Sequence, residues 1–377
     1  MSAEIEPKPN NNTEGPYSLI DERMETLRAE HRYRFLRRVE SAQEARITLD
    51  GESVLLFCSN NYLGLANHPD LKAAAREAVD RFGCGSGASR LISGNMSLHE
   101  ELEGRLARFK QYPACILFGS GYAANVGVLS SLMEQGDVIF SDSLNHASII
   151  DGCRLSRADV KVYRHCDTEH LESLMKAATG YRKRLIVTDT LFSMDGDLAP
   201  LPDLVGLARR HDCMLMLDEA HAVGVMGSNG RGAAEHYGLG DAADISVGTL
   251  GKALGSFGAF AVCKPPVREF LVNHARSLIY STSLPPPALA AAARALEILE
   301  AEPERRERLV ENANRLAQGI RALGNSAVSY TQHLDHETND QIKYYVIFME
   351  NECLGGWGVW GGAGVGGGWG GGGGGGG

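Results

Sequence analysis

One lysine has the sequence surroundings of an amine nucleophile. Lys252 follows an apolar-rich run at 243–247 and has glycines at positions 248, 251 and 255. Glycines let the backbone approach a bound group closely. A lysine at the end of a buried strand is costly to keep as a cation, so its pKa falls and its amine becomes reactive. Such an amine can form a Schiff base with an aldehyde, although a solvated loop lysine is compatible with the same local sequence.

Acidic and imidazole side chains that could act with this lysine follow predicted strands. Asp218 directly follows a predicted strand at 214–217, and His221 comes three residues after Asp218. The carboxyl ends of parallel strands are where α/β folds bind ligands, and an ionised aspartate there can hold the N–H of a pyridinium ring. His146, at a predicted helix start, could stack on a planar ring, although a lone histidine is more often structural. Residues 218–221, Asp-Glu-Ala-His, also match the box of a helicase family. Such a helicase needs a G-x-x-x-x-G-K-[ST] loop upstream, and the sequence contains none, so a helicase is not indicated.

A glycine-rich turn offers a phosphate site. Residues 119–124 have the spacing G-x-G-x-x-A between a predicted strand and a predicted helix, where backbone N–H groups bind anions. Gly121 and Tyr122 lie at that helix start, and Thr249 can offer a hydroxyl. The same spacing, with Asp142 after the next strand, leaves a dinucleotide-dependent oxidoreductase as an alternative.

Short apolar strands alternate with helices from residue 114 to residue 262, which predicts an α/β fold with a mostly parallel sheet. A helix over 17–40 and a hairpin turning at Asp50-Gly51 are predicted before it. After it, three prolines at 285–287 precede two long helices and indicate a domain change.

Composition limits the possible classes of protein. The 377 residues carry a formal net charge of −10, which argues against a nucleic-acid surface. The eight cysteines are scattered singly, so neither a metal knuckle nor a disulfide framework is indicated, and a cytoplasmic location is expected. No apolar run is long enough to span a bilayer.

Six motifs occur in one order along the chain. Together they resemble the α-oxoamine synthases among the fold-type I pyridoxal phosphate (PLP) enzymes. That resemblance implies PLP as the cofactor, and a large domain with a seven-stranded, mostly parallel sheet flanked by helices. The motifs occupy residues 59–64, 85–90, 144–148, 192–197, 218–221 and 249–252.

The resemblance implies a role for each matching residue. Catalysis would use Lys252, Asp218 and His221, with Lys252 in the Schiff base and Asp218 on the pyridine nitrogen. Asn60 would lie near the substrate amino acid, and no metal is implied. The implied cofactor-binding residues are Gly121, Tyr122, His146, Ser193, Asp218, His221, Thr249, Lys252 and Thr282.

The activity implied is the decarboxylating condensation of an amino acid with an acyl thioester. Residues 192–201 and 279–286 most resemble the biotin-pathway members, which join L-alanine to a pimeloyl group carried by coenzyme A or acyl carrier protein. Members that use glycine with acetyl or succinyl thioesters, or serine with palmitoyl thioester, remain alternatives. So does a non-catalytic partner subunit. Thr282 resembles the family's loop that reaches the neighbouring subunit's phosphate, which implies a homodimer with shared active sites.

Four segments are expected. They are an N-terminal arm at 1–58, a PLP-binding domain at 59–284, the start of a small domain at 285–324, and an aberrant tail at 325–377. The tail is rich in glycine and contains all three tryptophans, a composition that does not form a core. No arginine follows Arg321, so the family's carboxylate-binding arginine has no counterpart to assign, and impaired turnover is expected.

Overall fold

The structure, a computed structural model, describes residues 15–322. The predicted aberrant tail therefore lies outside the described residues, and so does the segment in which no carboxylate-binding arginine could be assigned. A first helix, α1 (Ser18–Ala29), precedes an antiparallel hairpin of β1 (Arg46–Leu49) and β2 (Glu52–Leu55). The hairpin turns at Asp50 and Gly51, whose φ angles are 51° and 87°, as the Asp-Gly pair predicts.

The prediction of a helix over 17–40 is wrong in length. The helix α1 ends at Ala29, and His31 has a left-handed φ of 55°. No side chain of α1 is buried. Because most helical stability in proteins comes from packing an apolar face, apolar spacing alone does not extend this helix.

A seven-stranded sheet forms the centre of the molecule, and the mostly parallel arrangement is confirmed. The strand order is β3-β9-β8-β7-β6-β4-β5, and β9 runs antiparallel to both of its neighbours while the other pairs are parallel. The strands are β3 (Ala114–Phe118), β4 (Val138–Asp142), β5 (Asp159–Tyr163), β6 (Arg184–Asp189), β7 (Met214–Asp218), β8 (Ile245–Thr249) and β9 (Ala259–Cys263).

Helices cover both faces of this sheet. Side chains alternate along each strand between two apolar cores; in β7, for example, Leu215 and Leu217 lie in one core and Met216 in the other. No helix in the described part of the chain is long and apolar enough to cross a membrane. The helices are α2 (Pro69–Phe82), α3 (Ser97–Lys110), α4 (Gly121–Leu132), α5 (Ala147–Ser156), α6 (Thr168–Ala177), α7 (Leu201–Arg210), α8 (Ala233–His236), α9 (Pro265–His274), α10 (Arg276–Ile279), α11 (Pro286–Ala301) and α12 (Glu304–Ala322), with a π-helical turn at Arg90–Gly94.

The helix that follows the three prolines packs on the sheet domain. α11 begins at Pro286, and its Leu289 and Leu296 lie in the same core as Leu102 and Leu106 of α3. The domain boundary expected after residue 284 stays a prediction.

Three neighbouring parallel strands each end in an aspartate. These are Asp142 of β4, Asp189 of β6 and Asp218 of β7, and Asp189 is directly paired in register with Asp218. All three side chains are buried. The topology therefore concentrates carboxyl groups at one edge of the sheet, where α/β folds bind ligands.

The next residue after β7 is held by a buried ion pair. Glu219 is fully buried and accepts hydrogen bonds from Lys110 Nζ at the end of α3, from Ser246 Oγ at 2.8 Å and from Ala234 N at 2.9 Å. The backbone at Gly232 has a φ of 120°, and a Cβ there would lie 2.6 Å from Glu219 Oε1. Lys110 therefore compensates a charge that would otherwise be costly to bury.

Replacing Lys110 by methionine should strongly destabilise the fold. Lys110→Met leaves the Glu219 carboxylate buried without its cation, and we expect the free energy of unfolding in urea to fall by about 3–5 kcal/mol. The matched control is Lys176→Met, because Lys176 pairs with Glu172 at 3.1 Å on the exposed surface, where ion pairs contribute little. An equal loss of stability in both variants would contradict this account.

Candidate active site

The predicted nucleophile lies in contact with the predicted histidine. Lys252 comes three residues after β8, and its Nζ is 2.6 Å from His221 Nε2. The loop turns at Gly255 with a φ of 60°, and a Cβ there would lie 2.5 Å from the backbone nitrogen of Ala66. Glycine is therefore required where the lysine loop packs against residues 65–66.

Burial favours the neutral form of the Lys252 amine. Burial lowers the pKa of Lys252, and the negative charges of Asp218 and Asp189 partly oppose that shift. Although two carboxyl groups lie nearby, the effect of burial is the larger one, and the pKa of the amine is lowered overall. This is the state that a Schiff-base lysine requires.

A tyrosine extends the lysine–histidine pair into a chain of hydrogen bonds. Tyr62 Oη is 2.7 Å from His221 Nδ1. Burial, then the charges of Lys252 and His146, lower the pKa of His221 to about 3, so its ring is neutral near pH 7. Burial raises the pKa of Tyr62, so its hydroxyl keeps its proton. The neutral ring carries a single N–H, so His221 donates to one of these two neighbours and accepts from the other.

The predicted substrate residue Asn60 lies at the outer end of this chain. Its Oδ1 is 3.3 Å from Tyr62 Oη, and its side chain is exposed. The structure therefore brings Asn60, His221 and Lys252 to one site, with Tyr62 between them.

The carboxylate of Asp218, the predicted partner of a pyridine nitrogen, is held by neutral hydrogen-bond donors. Its Oδ1 accepts from Ala220 N at 2.8 Å, and its Oδ2 accepts from Asn125 Nδ2 at 2.6 Å. The side chain of Asn125 projects from α4 and also donates to Ser148 Oγ on α5, at 2.9 Å. Within residues 15–322, no lysine or arginine forms an ion pair with Asp218. A buried carboxylate held only by neutral donors is suited to a cationic ligand.

A second carboxyl group lies beside Asp218 on the neighbouring strand. Burial, then the charge of Asp218, raise the pKa of Asp189 well above its usual range. Its Oδ2 accepts from the backbone N–H of His146 at 2.7 Å, at the start of α5. Burial and the neighbouring Asp218 therefore favour the neutral form of Asp189, and its carboxyl group positions His146.

His146 is the N-cap of α5. Its Nδ1 is 2.7 Å from Ser148 Oγ, which in turn accepts from Asn125. Its side chain is exposed, so one face of the imidazole is available to a planar ligand. Through Ser148 and Asn125, the predicted stacking residue is linked to the predicted pyridine-binding carboxylate.

The predicted phosphate donors begin α4. Ser120 Oγ accepts from Ala123 N at 3.1 Å, and the N–H of Ala124 donates to Ser120 O. The N–H groups of Gly121 and Tyr122 have no partner within the helix, as expected for a first turn. A Cβ at Gly119 or Gly121 would meet nothing within 4 Å, so open space lies beside these N–H groups for an anion.

Three further residues were predicted to bind the cofactor, namely Thr249, Ser193 and Thr282. The Thr249 hydroxyl donates to the Gly258 carbonyl at 3.1 Å and accepts from Gly251 N at 3.1 Å. Ser193 is half-buried in its loop. Thr282 is exposed and lines a narrow crevice together with Gly119. The cofactor roles of these three residues stay predictions.

Three residues of this site, namely Asp189, Asn125 and Tyr62, were not predicted from the sequence. Asp189 had a readable signal, because it ends a strand in the same way as Asp218. Tyr62 lies inside the 59–64 motif, but nothing local indicates its contact with His221, 159 positions away. Asn125 gives no local signal either, since its partner Asp218 is 93 positions away.

The functional groups of this site fit PLP. The Asp218 carboxylate offers a place for a pyridinium N–H, the Lys252 amine offers attachment to an aldehyde, and the start of α4 offers N–H groups for a phosphate.

The dinucleotide alternative fits less well. Both carboxylate oxygens of Asp142 are already used, by Leu144 N, Cys166 N and His165 Nδ1, each at 2.9 Å, and are not free for a ribose.

Comparisons with known proteins agree with this fit. The model of the aminotransferase class I and II family matches residues 52–347. The 8-amino-7-oxononanoate synthase of Citrifermentans bemidjiense is 55% identical over 293 residues, which cover 77% of this chain and 75% of that protein.

Solved structures give the same family. A variant of serine palmitoyltransferase from S. paucimobilis, with bound PLP, superposes with a TM-score of 0.78 at 32% identity, over 85% of this chain and 82% of that chain. The 8-amino-7-oxononanoate synthase of Francisella tularensis gives a TM-score of 0.62 at 35% identity, over 72% of this chain and 77% of that chain. The chain therefore belongs to the class I and II aminotransferase family and, within it, to the α-oxoamine synthases.

Proposed function

We propose that this chain is a PLP-dependent 8-amino-7-oxononanoate synthase, which condenses L-alanine with a pimeloyl thioester. A carbon–carbon bond forms between Cα of alanine and the acyl carbonyl carbon, the thiol leaves, and the alanine carboxyl is lost as carbon dioxide. The observation that carries the proposal is the Lys252 amine held against a neutral His221 beside a buried carboxylate that lacks a cation. The 55% identity to a relative of that name supports the choice of substrates.

PLP, when bound, supplies an aldehyde for amine exchange and a protonated ring that withdraws electrons from the Cα of alanine. Asp218 would hold the proton on the ring nitrogen, because Ala220 and Asn125 fix both of its oxygens. His146 would stack on the ring, and Gly121 and Tyr122 would bind the phosphate. Ser193, His221 and Thr249 would complete the cofactor contacts.

Lys252 is the proposed base for the Cα proton. Its lowered pKa increases the share of the neutral amine, which can accept a proton. His221 keeps the amine in place through Nε2, and Tyr62 fixes the orientation of the imidazole through Nδ1. In the tautomer protonated on Nε2, the imidazole can donate from that nitrogen to a carbonyl oxygen that gains negative charge.

A homodimer with shared active sites is part of the proposal. Thr282 is exposed beside Gly119, and its loop is held by Ser283, whose Oγ is 2.7 Å from the Gly94 carbonyl. Such a fixed, exposed loop suits contact with a partner's phosphate. A cytoplasmic location, predicted from the scattered cysteines, also stays part of the proposal.

The proposed function predicts that the purified chain, whose turnover we expect to be impaired, releases thiol and carbon dioxide only when L-alanine and a pimeloyl thioester are both present. Glycine with acetyl-coenzyme A and serine with palmitoyl-coenzyme A are the comparison substrates. In Lys252→Ala we expect release to be lost, because the base and the attachment point are removed together, while the folded protein still binds PLP non-covalently. Borohydride reduction followed by mass spectrometry measures the covalent attachment.

The matched control is Lys264→Ala, because Lys264 is a surface lysine 3.6 Å from Asp244. It should keep both the attachment and the wild-type rate. Product release by Lys252→Ala at the wild-type rate would refute the role of Lys252. Faster reaction with one of the comparison substrate pairs would refute the substrate assignment.

The two neighbouring aspartates should respond differently to the same substitution. Asp218→Asn removes the charge that holds the ring proton, and we expect the rate to fall about 10–100-fold, as for the loss of a hydrogen bond to a charged group. In Asp189→Asn the amide oxygen can still accept from His146 N, and burial already favours the neutral form of this group, so the rate should change far less. Equal losses in both variants would show that the charge is shared between the two aspartates.

A further inference from the structure

One histidine outside the predicted site joins two loops that carry predicted cofactor residues. His165 follows β5, and its Nδ1 is 2.9 Å from Asp142 Oδ1 while its Nε2 is 2.7 Å from Asp197 Oδ2. Asp142 begins the loop that leads to His146. Asp197 ends the 192–197 loop that carries Ser193.

Both ends of this link are fixed to the surrounding backbone. Asp142 also accepts from the N–H groups of Leu144 and Cys166, each at 2.9 Å. The 192–197 loop is closed by hydrogen bonds from Phe192 N to Asp197 O at 3.0 Å and from Gly196 N to Phe192 O at 2.7 Å. A displacement of the Asp197 side chain would therefore move the short loop on which Ser193 lies.

The ring of His165 is held on its edges and on its face. The Phe192 ring meets it edge-on, with centroids 4.5 Å apart and planes at 90°. Burial alone would lower the pKa of His165, but the hydrogen bonds to Asp142 and Asp197 raise it to about 12. The imidazole is thus a cation near pH 7, and both N–H groups donate to carboxylates in charge-assisted bonds.

We propose that His165 is a positioning residue: its two-sided bridge between Asp142 and Asp197 sets the distance between the loop of His146 and the loop of Ser193. The inference rests on the proposed function, in which those two residues contact the same cofactor. The bridge would fix the site before the cofactor binds, which lowers the cost of ordering the loops on binding.

A metal site is the competing interpretation of the same cluster. Asp142, His165 and Cys166 offer ligand atoms that lie within 4.8 Å of one another. Both ring nitrogens of His165 already donate to carboxylates, however, and a metal requires an unprotonated nitrogen. The bridge and the metal are therefore mutually exclusive.

The test is His165→Gln, because a glutamine amide has only one donating end for two carboxylates. We expect the Kd for PLP to rise about tenfold or more, as for loss of a charge-assisted hydrogen bond, and the visible circular dichroism of bound PLP to change. Amide hydrogen exchange of Phe192 and Gly196 in the cofactor-free protein should also accelerate. The control is His211→Gln, since His211 is a partly buried histidine 3.4 Å from Glu172.

A rescue variant separates positioning from a merely structural role. In the His165→Gln background, Asp197→Asn supplies an amide donor to the glutamine oxygen, and PLP affinity and circular dichroism should recover towards wild type. If His165→Gln does not fold, Asp197→Ala alone removes one side of the bridge and is measured in the same way.

Two results would overturn the proposal. One is a His165→Gln protein that loses thermal stability but keeps wild-type PLP affinity and circular dichroism. The other is tight binding of Zn²⁺ by the wild-type protein that His165→Gln abolishes. Failure of the wild type and of His211→Gln to bind PLP would instead refute the proposed function itself.

Discussion

The site depends on one negative charge buried at the carboxyl edge of the sheet. Two aspartates, Asp189 and Asp218, are paired in register on adjacent strands, and burying both as anions would be prohibitive. Burial and the charge of Asp218 raise the pKa of Asp189, which favours its neutral form and reduces this conflict. The charge that remains, on Asp218, has only neutral hydrogen-bond donors, so a bound cation is the partner that the fold leaves for it.

The adjacent Glu219 shows how a structural charge differs from a functional one. Glu219 is also buried, but Lys110 compensates it within the protein. Asp218, one residue earlier, lacks such a lysine or arginine among the described residues. Because side chains alternate along an extended chain, the two carboxylates serve different neighbours: Glu219 ties α3 and α8 to the sheet, while Asp218 faces Asn125 and the ligand site.

Sequence reasoning predicted that Asp218, His221 and Lys252 share one site, because the carboxyl ends of parallel strands meet at one edge of a sheet. In the structure Lys252 Nζ lies 2.6 Å from His221 Nε2, while the cofactor and catalytic roles of the three residues stay predictions. Sequence reasoning also predicted the mostly parallel sheet. The contacts that tune these residues were not readable, since Tyr62, Asn125 and Asp189 act through partners distant in the chain. The helix at 17–40 was predicted too long because periodicity does not show whether a face is buried, and α1 buries none of its side chains.

The lowered pKa values of Lys252 and His221 have the same origin. Burial is the largest cause of each lowered pKa, and burial is a property of the assembled fold. The reactive amine is thus a consequence of packing the 249–258 loop against residues 65–66, and Gly255 permits that close approach. A sequence can indicate such a lysine, but its protonation state is decided by the tertiary structure.

The most direct test of the central claim is the protonation state of the ring nitrogen in bound PLP. Nitrogen-15 NMR of the protein loaded with ¹⁵N-labelled PLP measures it, because the chemical shift of a pyridine nitrogen depends strongly on whether it carries a proton. We expect a protonated nitrogen in the wild type near neutral pH and an unprotonated one in Asp218→Asn. An unprotonated nitrogen in the wild type would contradict the account.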